Sequence, residues 1–237
     1  MRAHFPSAVP TIVRRQDKRG YETPCGRLPS VTTIIKETSS QESKDRLEQW
    51  LARPGARAES AVACKRGSWV HAQIENYLQN LPFENNMAFN GYYRNIIKWI
   101  SETVVEPIAL EKPIYHPAGF SGTFDCLAHC ADWLDVTLID WKTSKRARGP
   151  ELVDGYMDQL GAYSLGVQHS YDIEPTKAIL AIARPAGTRP DIWIIEEDEL
   201  RRREEKFLLR VEQYNQNLAR FEKTLSIKQH EIPLQVA

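Results

Sequence analysis

The chain has 237 residues, 42% hydrophobic and 26% charged, which suits a globular protein with a real core and excludes a disordered or fibrous one. Its 31 basic side chains balance 31 acidic ones, so no global positive field argues for nucleic acid, and any such binding must come from a local basic groove. No apolar run is long enough to span a bilayer, and four cysteines without a regular framework (Cys25, Cys64, Cys126, Cys130) point to a reducing compartment.

The first sixteen residues carry three arginines and no acid. Transit peptides share that composition, but 11–15 and 21–24 around Lys18-Arg19-Gly20 read better as a hairpin. A cytoplasmic location is therefore favoured over a mitochondrial one. Ser30 suits the N-cap of a short helix. Helical spacing recurs over 42–51 and over 56–81, where Val62, Val70, Ile74, Tyr77 and Leu78 form an apolar stripe. Gly67, His71 and Glu75, each four residues apart, fall on a neighbouring stripe. A further helix is expected over 87–105.

The pattern then turns strand-like over 108–115, 119–128 and 134–142. A helix over 152–168, a buried-type strand over 177–183 and its partner over 191–195 follow, then a charged helix over 197–225 and a polar tail. The expected architecture is α/β: a mixed central sheet flanked by helices, with an N-terminal helical arch and a long C-terminal helix. The chain is read as a single domain, divided into 1–105, 106–196 and 197–237.

Asp140 and Lys142 share one face of their strand. With Asp125 on the neighbouring strand, on the face opposite Phe124 and Cys126, they would make a small anionic pocket suited to a hard divalent cation. A strand-end ion pair is the plainer reading of the tripeptide alone, since buried charges need partners. His71 reads either as a core histidine or as a neutral ligand, with Glu75 one turn on to orient it. Gln159 and Tyr163 also lie one turn apart, and Glu111 reads as a strand-face charge rather than a ligand, with the pocket as its alternative. Trp50, Trp69 and Tyr77 are candidate stacking surfaces for bases, each equally at home in a core. Cys126 and Cys130 would stand about 13 Å apart in a strand, which rejects zinc. No glycine-rich phosphate loop or nucleophile elbow is present.

In order along the chain, His71, Gly122 to Asp125, Asp140 to Lys142, and Gln159 to Tyr163 resemble the signature of the PD-(D/E)XK nuclease superfamily in its RecB-like exonuclease branch. Upstream, 29–35, Trp50 and Gly67-x-x-x-His71-x-x-x-Glu75 are similar to the exonucleases of mitochondrial genome maintenance and their phage relatives. Phe124 stands where the superfamily's name has proline, and no cysteine follows Cys130, which argues against an iron–sulfur cluster.

The resemblance implies a restriction-endonuclease-like core and a DNA exonuclease acting on single strands with a free end, in replication, recombination or repair. Partners from those processes are implied without identity. It implies that His71, Asp125, Asp140 and the Trp141 carbonyl hold one or two Mg²⁺ or Mn²⁺ ions. Lys142 would orient the attacking water or balance charge, while Gln159 and Tyr163 position the strand. Thr143, Ser144, Lys145, Arg146 and Arg148 would take phosphates beside the site. A structure-selective endonuclease and a catalytically silent nucleic-acid-binding module are the competing readings.

Overall fold

The computed structural model describes residues 13–14, 20–131 and 133–230. Strands β1 (Val13–Arg14), β2 (Gly20–Thr23) and β3 (Gly26–Pro29) form a small antiparallel sheet. It bears out the expected hairpin, although the turn at Lys18 and the first twelve residues lie outside the described residues. Three helices follow: α1 (Val31–Glu37), α2 (Gln41–Leu51) and α3 (Ala56–Leu78). Ser30 and Ser40 cap the first two, each side chain accepting the backbone N–H three residues on. After α4 (Asn90–Thr103) the chain enters the main sheet through β4 (Val104–His116), β5 (Phe120–Cys130) and β6 (Trp133–Thr143). Helix α5 (Pro150–Tyr171) crosses over to β7 (Lys177–Ala183), which pairs parallel to β6. Parallel neighbours need such a crossover. Strand β8 (Asp191–Ile195) closes the edge, and α6 (Glu197–His230) ends the described chain. The sheet order is β4-β5-β6-β7-β8.

Two apolar clusters cover the sheet. Leu138, Ala178, Leu180 and Ile182 pack with residues of α1, α5 and α6. Ile139, Trp141, Ile179, Ala181 and Ala183 pack with Val70 and Ile74 of α3 and with Ile96 and Ile100 of α4. This is why β7 reads as one unbroken apolar run. On α5, Asp158 is fully buried and meets three cations of α6: Arg203 at 2.9 Å, Lys206 at 3.1 Å and Arg210 at 2.8 Å. Gly161 lets the two helices approach, since a Cβ there would lie 2.6 Å from the Arg203 backbone. These contacts seat the part of α5 that carries Gln159 and Tyr163.

Three expectations are corrected. The apolar stripe of α3 is only half used: Val70 and Ile74 are buried, but Val62 and Tyr77 stand 46% and 41% exposed. The helix expected over 87–105 begins at Asn90 and ends at Thr103, because Val104 and Val105, both β-branched, open β4. Phe124 and Cys126 do not share a face. Phe124 packs in the α5–α6 cluster and Cys126 in the α3–α4 cluster, so the pleat is broken at Asp125. Opposite that break Glu111 has φ +48°, a left-handed conformation that glutamate rarely adopts.

Candidate metal and active site

The ladder between β5 and β6 begins at Cys126–Ile139. One step before it, the Asp125 side chain takes over: its Oδ2 accepts the Trp141 backbone N–H at 2.8 Å. The other carboxylate oxygen lies 3.7 Å from His71 Nδ1, and Glu111 Oε1 lies 3.5 Å from the same nitrogen. His71 Nε2 donates to the Trp141 carbonyl at 2.8 Å. That bond orients the ring and turns Nδ1 towards the two acids. His71, Glu111 and Asp125 can each offer a ligand atom, all within 4.8 Å of one another.

Asp140 is fully buried on the α5 side of β6. It forms an ion pair with Lys142 two residues on, and its Oδ1 accepts a long 3.4 Å bond from Gln159 Nε2. The same amide donates to the Tyr163 hydroxyl at 2.8 Å, which leaves the phenolic O–H free to donate. Gly122 is the floor under Tyr163, for a Cβ there would lie 2.8 Å from the tyrosine ring. Lys142 Nζ lies 5.4 Å from the centre of the Tyr156 ring.

The charges follow from these contacts. Burial lowers the His71 pKa, but the Asp125 carboxylate and the hydrogen bond to Glu111 outweigh it and carry the value up to about 9. Burial raises Asp140 above the usual carboxylate range; Lys142 opposes this, and the charge of Asp125 adds to it. For Lys142, burial works against the ammonium, yet Asp140 and Asp125 prevail and hold it protonated. Tyr163 is kept as a phenol by burial, then by the negative field of Asp140 and Asp125.

His71, Glu111, Asp125, Lys142, Gln159 and Tyr163 therefore line one cavity of about 470 Å³. Asp140 lies beneath it, buried, in contact with Lys142 and Gln159. Glu111 stands higher than the sequence suggested, as a wall of the site. Glu75 does not orient His71: its carboxylate takes Gln79 one turn on, and Glu111 and Asp125 face the ring instead. Trp141 offers its backbone, while its indole is buried among residues of α3 and α4.

The 143–148 stretch faces elsewhere. Thr143 Oγ1 accepts from Arg66 Nε at 3.0 Å, and Ser144 donates to the Arg146 carbonyl and accepts from Arg148, so both hydroxyls serve the protein. Lys145 and Arg146 line a second groove with Trp50. Trp69 packs among Phe83, Phe89 and Tyr93. Cys126 and Cys130 lie in the one continuous strand β5, both buried.

The far wall of the cavity comes from the N-terminal sheet and α1: Gly20, Tyr21, Ser30, Val31 and Thr32. Tyr21 bonds Thr123 through their hydroxyls at 3.0 Å, and Ser121 Oγ donates to the Leu28 and Pro29 carbonyls. Sequence reasoning missed this wall. Tyr21 and Thr123 are 102 residues apart, and neither the hairpin over 21–24 nor the 29–35 stretch tells by itself that it closes the cavity.

Residues 22–233 match the family model of the PD-(D/E)XK nuclease superfamily. The chain is also similar to mitochondrial genome maintenance exonuclease 1 of three animals. It is 26% identical to the Xenopus tropicalis protein over 212 residues, covering 84% of this chain and 60% of that one. It is 28% identical to the Mus musculus protein, covering 80% and 59%, and 24% identical to the Homo sapiens protein, covering 81% and 60%. The chain thus spans about three fifths of the length of these curated relatives.

Proposed function

The chain belongs to the PD-(D/E)XK nuclease superfamily, and from that membership we propose that it is a Mg²⁺- or Mn²⁺-dependent deoxyribonuclease, an exonuclease on single-stranded DNA with a free end. The observation that carries this reading is the meeting of Lys142 and Asp140 from one strand with Asp125 from the next, beside His71 and Glu111.

A divalent cation fits these residues. Carboxylate oxygens and an imidazole nitrogen converge within 4.8 Å, and Asp140 is held in the interior with its carboxyl raised by burial. A hard cation would neutralise that charge. His71, Asp125, Glu111 and Asp140 would hold one or two ions, with the Trp141 carbonyl at the edge of the set. When bound, the ion polarises the scissile phosphate and lowers the pKa of a bound water.

The chain's own residues do the rest. Lys142 stays protonated, so it serves as a fixed positive charge that offsets the negative charge building on phosphorus and orients the water by hydrogen bonding. Tyr163 keeps its proton and donates to a phosphate oxygen, held in place by Gln159. Tyr21 and Thr32 wall the cavity on the opposite side, and the single-strand preference comes with the exonuclease reading. The preference for a free end rests on the relatives being exonucleases by name. The whole chain acts as one nuclease domain in DNA processing, in the reducing cytoplasm of a bacterial or phage-infected cell. No described helix is long and apolar enough to cross a membrane.

The test is a time course on end-labelled single-stranded DNA with Mg²⁺, with Mn²⁺ and with EDTA. Blocked-end, circular and RNA substrates run in parallel. Stepwise loss of nucleotides from a free DNA end, abolished by EDTA, supports the reading. Cutting of the circle would make the protein an endonuclease, and binding without cutting would make it a silent module.

A further inference from the structure

Beyond the acid cavity lies a groove between α2, α3 and the loop 144–149. Two hollows, of about 420 and 870 Å³, share Trp50, Arg148 and Leu152 and so run into one another. Cations concentrate there: Arg66, Lys145, Arg146 and Arg148. Several arginines elsewhere sit on carboxylates, as Arg184, Arg203 and Arg210 do. Among the described residues these four have no carboxylate within ion-pair distance, although Glu59 and Glu151 also line the groove. Arg66 is the sharpest case. It is 5% exposed, and its partners are neutral: the Thr143 hydroxyl and the face of the Tyr92 ring at 4.7 Å. A buried guanidinium without an anion is costly, and in a chain of zero net charge its neighbours could have supplied one.

We propose that this groove is the track for the single strand next to the cleavage site. Its phosphates lie on Arg66, Lys145, Arg146 and Arg148, and a base lies against Trp50. The proposal rests on the nuclease reading and adds to it where the strand runs. Continuity of the chain supports it: Lys142 lines the acid cavity and Lys145 the groove, and three residues span at most about 11 Å. The loop is already shaped, because Ser144 bonds both the Arg146 carbonyl and the Arg148 guanidinium. Trp50 is partly exposed where the two hollows meet, with Arg53 5.5 Å from its ring centre. An aromatic beside unpaired cations is the combination that holds single strands without reading sequence.

The experiment is fluorescence anisotropy of a labelled single strand of about twenty nucleotides, in EDTA, across a salt series. It compares the unaltered chain with Lys145→Ala/Arg146→Ala and with Trp50→Ala. The double variant is expected to weaken binding at least about tenfold and to flatten the salt dependence by about 1.4, at roughly 0.7 per phosphate contact. Trp50→Ala is expected to weaken it at least about fivefold with the slope retained. With Mg²⁺, turnover of a short diester, thymidine 5′-(p-nitrophenyl phosphate), should fall far less than turnover of the long strand. Equal losses on both substrates, or binding and slope like those of the unaltered chain, overturn the proposal. If the unaltered chain cuts neither substrate but the variants still lose binding, the nuclease reading fails and the track stands. If it cuts both and the variants bind as tightly, the track alone fails.

Discussion

Asp125 of one strand completes the hydrogen bonding of the next: its Oδ2 holds the Trp141 N–H at 2.8 Å, between Asp140 and Lys142. In the proposed nuclease the carboxylate would have two duties, a structural one through Oδ2 and a chemical one through the oxygen facing His71. Different substitutions separate them. Asp125→Ala leaves a buried N–H without an acceptor and should cost about 1–3 kcal/mol, whereas Asp125→Asn keeps an acceptor and should cost much less. Both should abolish cutting. Denaturant titration of the two variants beside a cleavage assay checks this, and equal destabilisation would mean that the Trp141 bond contributes nothing.

With His71 as a ligand of the proposed ion, metal binding would be coupled to pH. Its pKa of about 9 lies above the ordinary 6.5, so the charged imidazole stabilises the metal-free fold fully below about 6.5. That contribution is lost as pH rises towards 9. A cation must displace the same proton, so apparent affinity should rise about tenfold per pH unit below 9 and level off above it. Calorimetry of Mn²⁺ binding in buffers of different ionisation enthalpy should record close to one proton released through His71. Thermal unfolding of the metal-free protein should show stability falling between pH 6.5 and 9, and His71→Ala should remove that fall.

Asp140 is a charge whose environment works against it without a cation. Burial and Asp125 raise its carboxyl, so above the usual carboxylate range the ionised group is less favourable in the fold than in the unfolded chain. Asp140→Asn should abolish cutting while moving the melting temperature of the metal-free protein by no more than a few degrees. Lys142 keeps Asp125 as a neighbouring anion. A collapse of the fold in that variant would show that the ion pair with Lys142 outweighs the burial of the carboxylate.

The parts of this site that were legible in the sequence are those governed by short-range rules. The apolar run of β7 and the strand β8 were located to the residue, because burial on both faces and a Pro/Gly turn leave local marks. Asp140 and Lys142 were placed on one face by strand alternation alone. What escaped is non-local or depends on breaks in periodicity. Nothing in residues 120–130 announces that the pleat switches at Asp125. Likewise Glu75 had the right spacing to serve His71, yet its side chain found Gln79 while two acids from the sheet took the ring. Lys145 and Arg146 follow Lys142 closely in the chain, but the turn built on Ser144 sends them into a separate groove.

Gly122 tests the packing behind Tyr163. A methyl group there would lie 2.8 Å from the tyrosine ring and 3.4 Å from Val31. Gly122→Ala should therefore displace Tyr163 and break its bond to Gln159, at about 1–3 kcal/mol in stability and with a marked loss of kcat. Tyr163→Leu in the same background offers a more pliable side chain and should restore much of the stability but none of the activity. A double variant that recovers activity would remove Tyr163 from the site.

Glu111 shows the cost of building the site most directly. It keeps φ +48° within β4, where a side chain clashes with its own backbone by about 1–2 kcal/mol, and it does so 3.5 Å from His71 with its carboxylate turned to the cavity. Glycine takes that conformation freely. Glu111→Gly should thus relieve the backbone and raise the stability of the metal-free protein, offset in part by glycine's greater freedom when unfolded and by the lost contact to His71. The same change should lower affinity for Mn²⁺ and the rate of cutting, and should bring the His71 pKa down, since Glu111 helps to hold it up. Glu111→Ala retains the strain and loses the ligand, so it should be the less stable of the two and no more active. Unfolding curves for both variants, with calorimetric Mn²⁺ titrations, decide the matter. If glycine is no more stable than alanine at this position, the left-handed backbone is not strained, and Glu111 occupies the cavity wall without local cost.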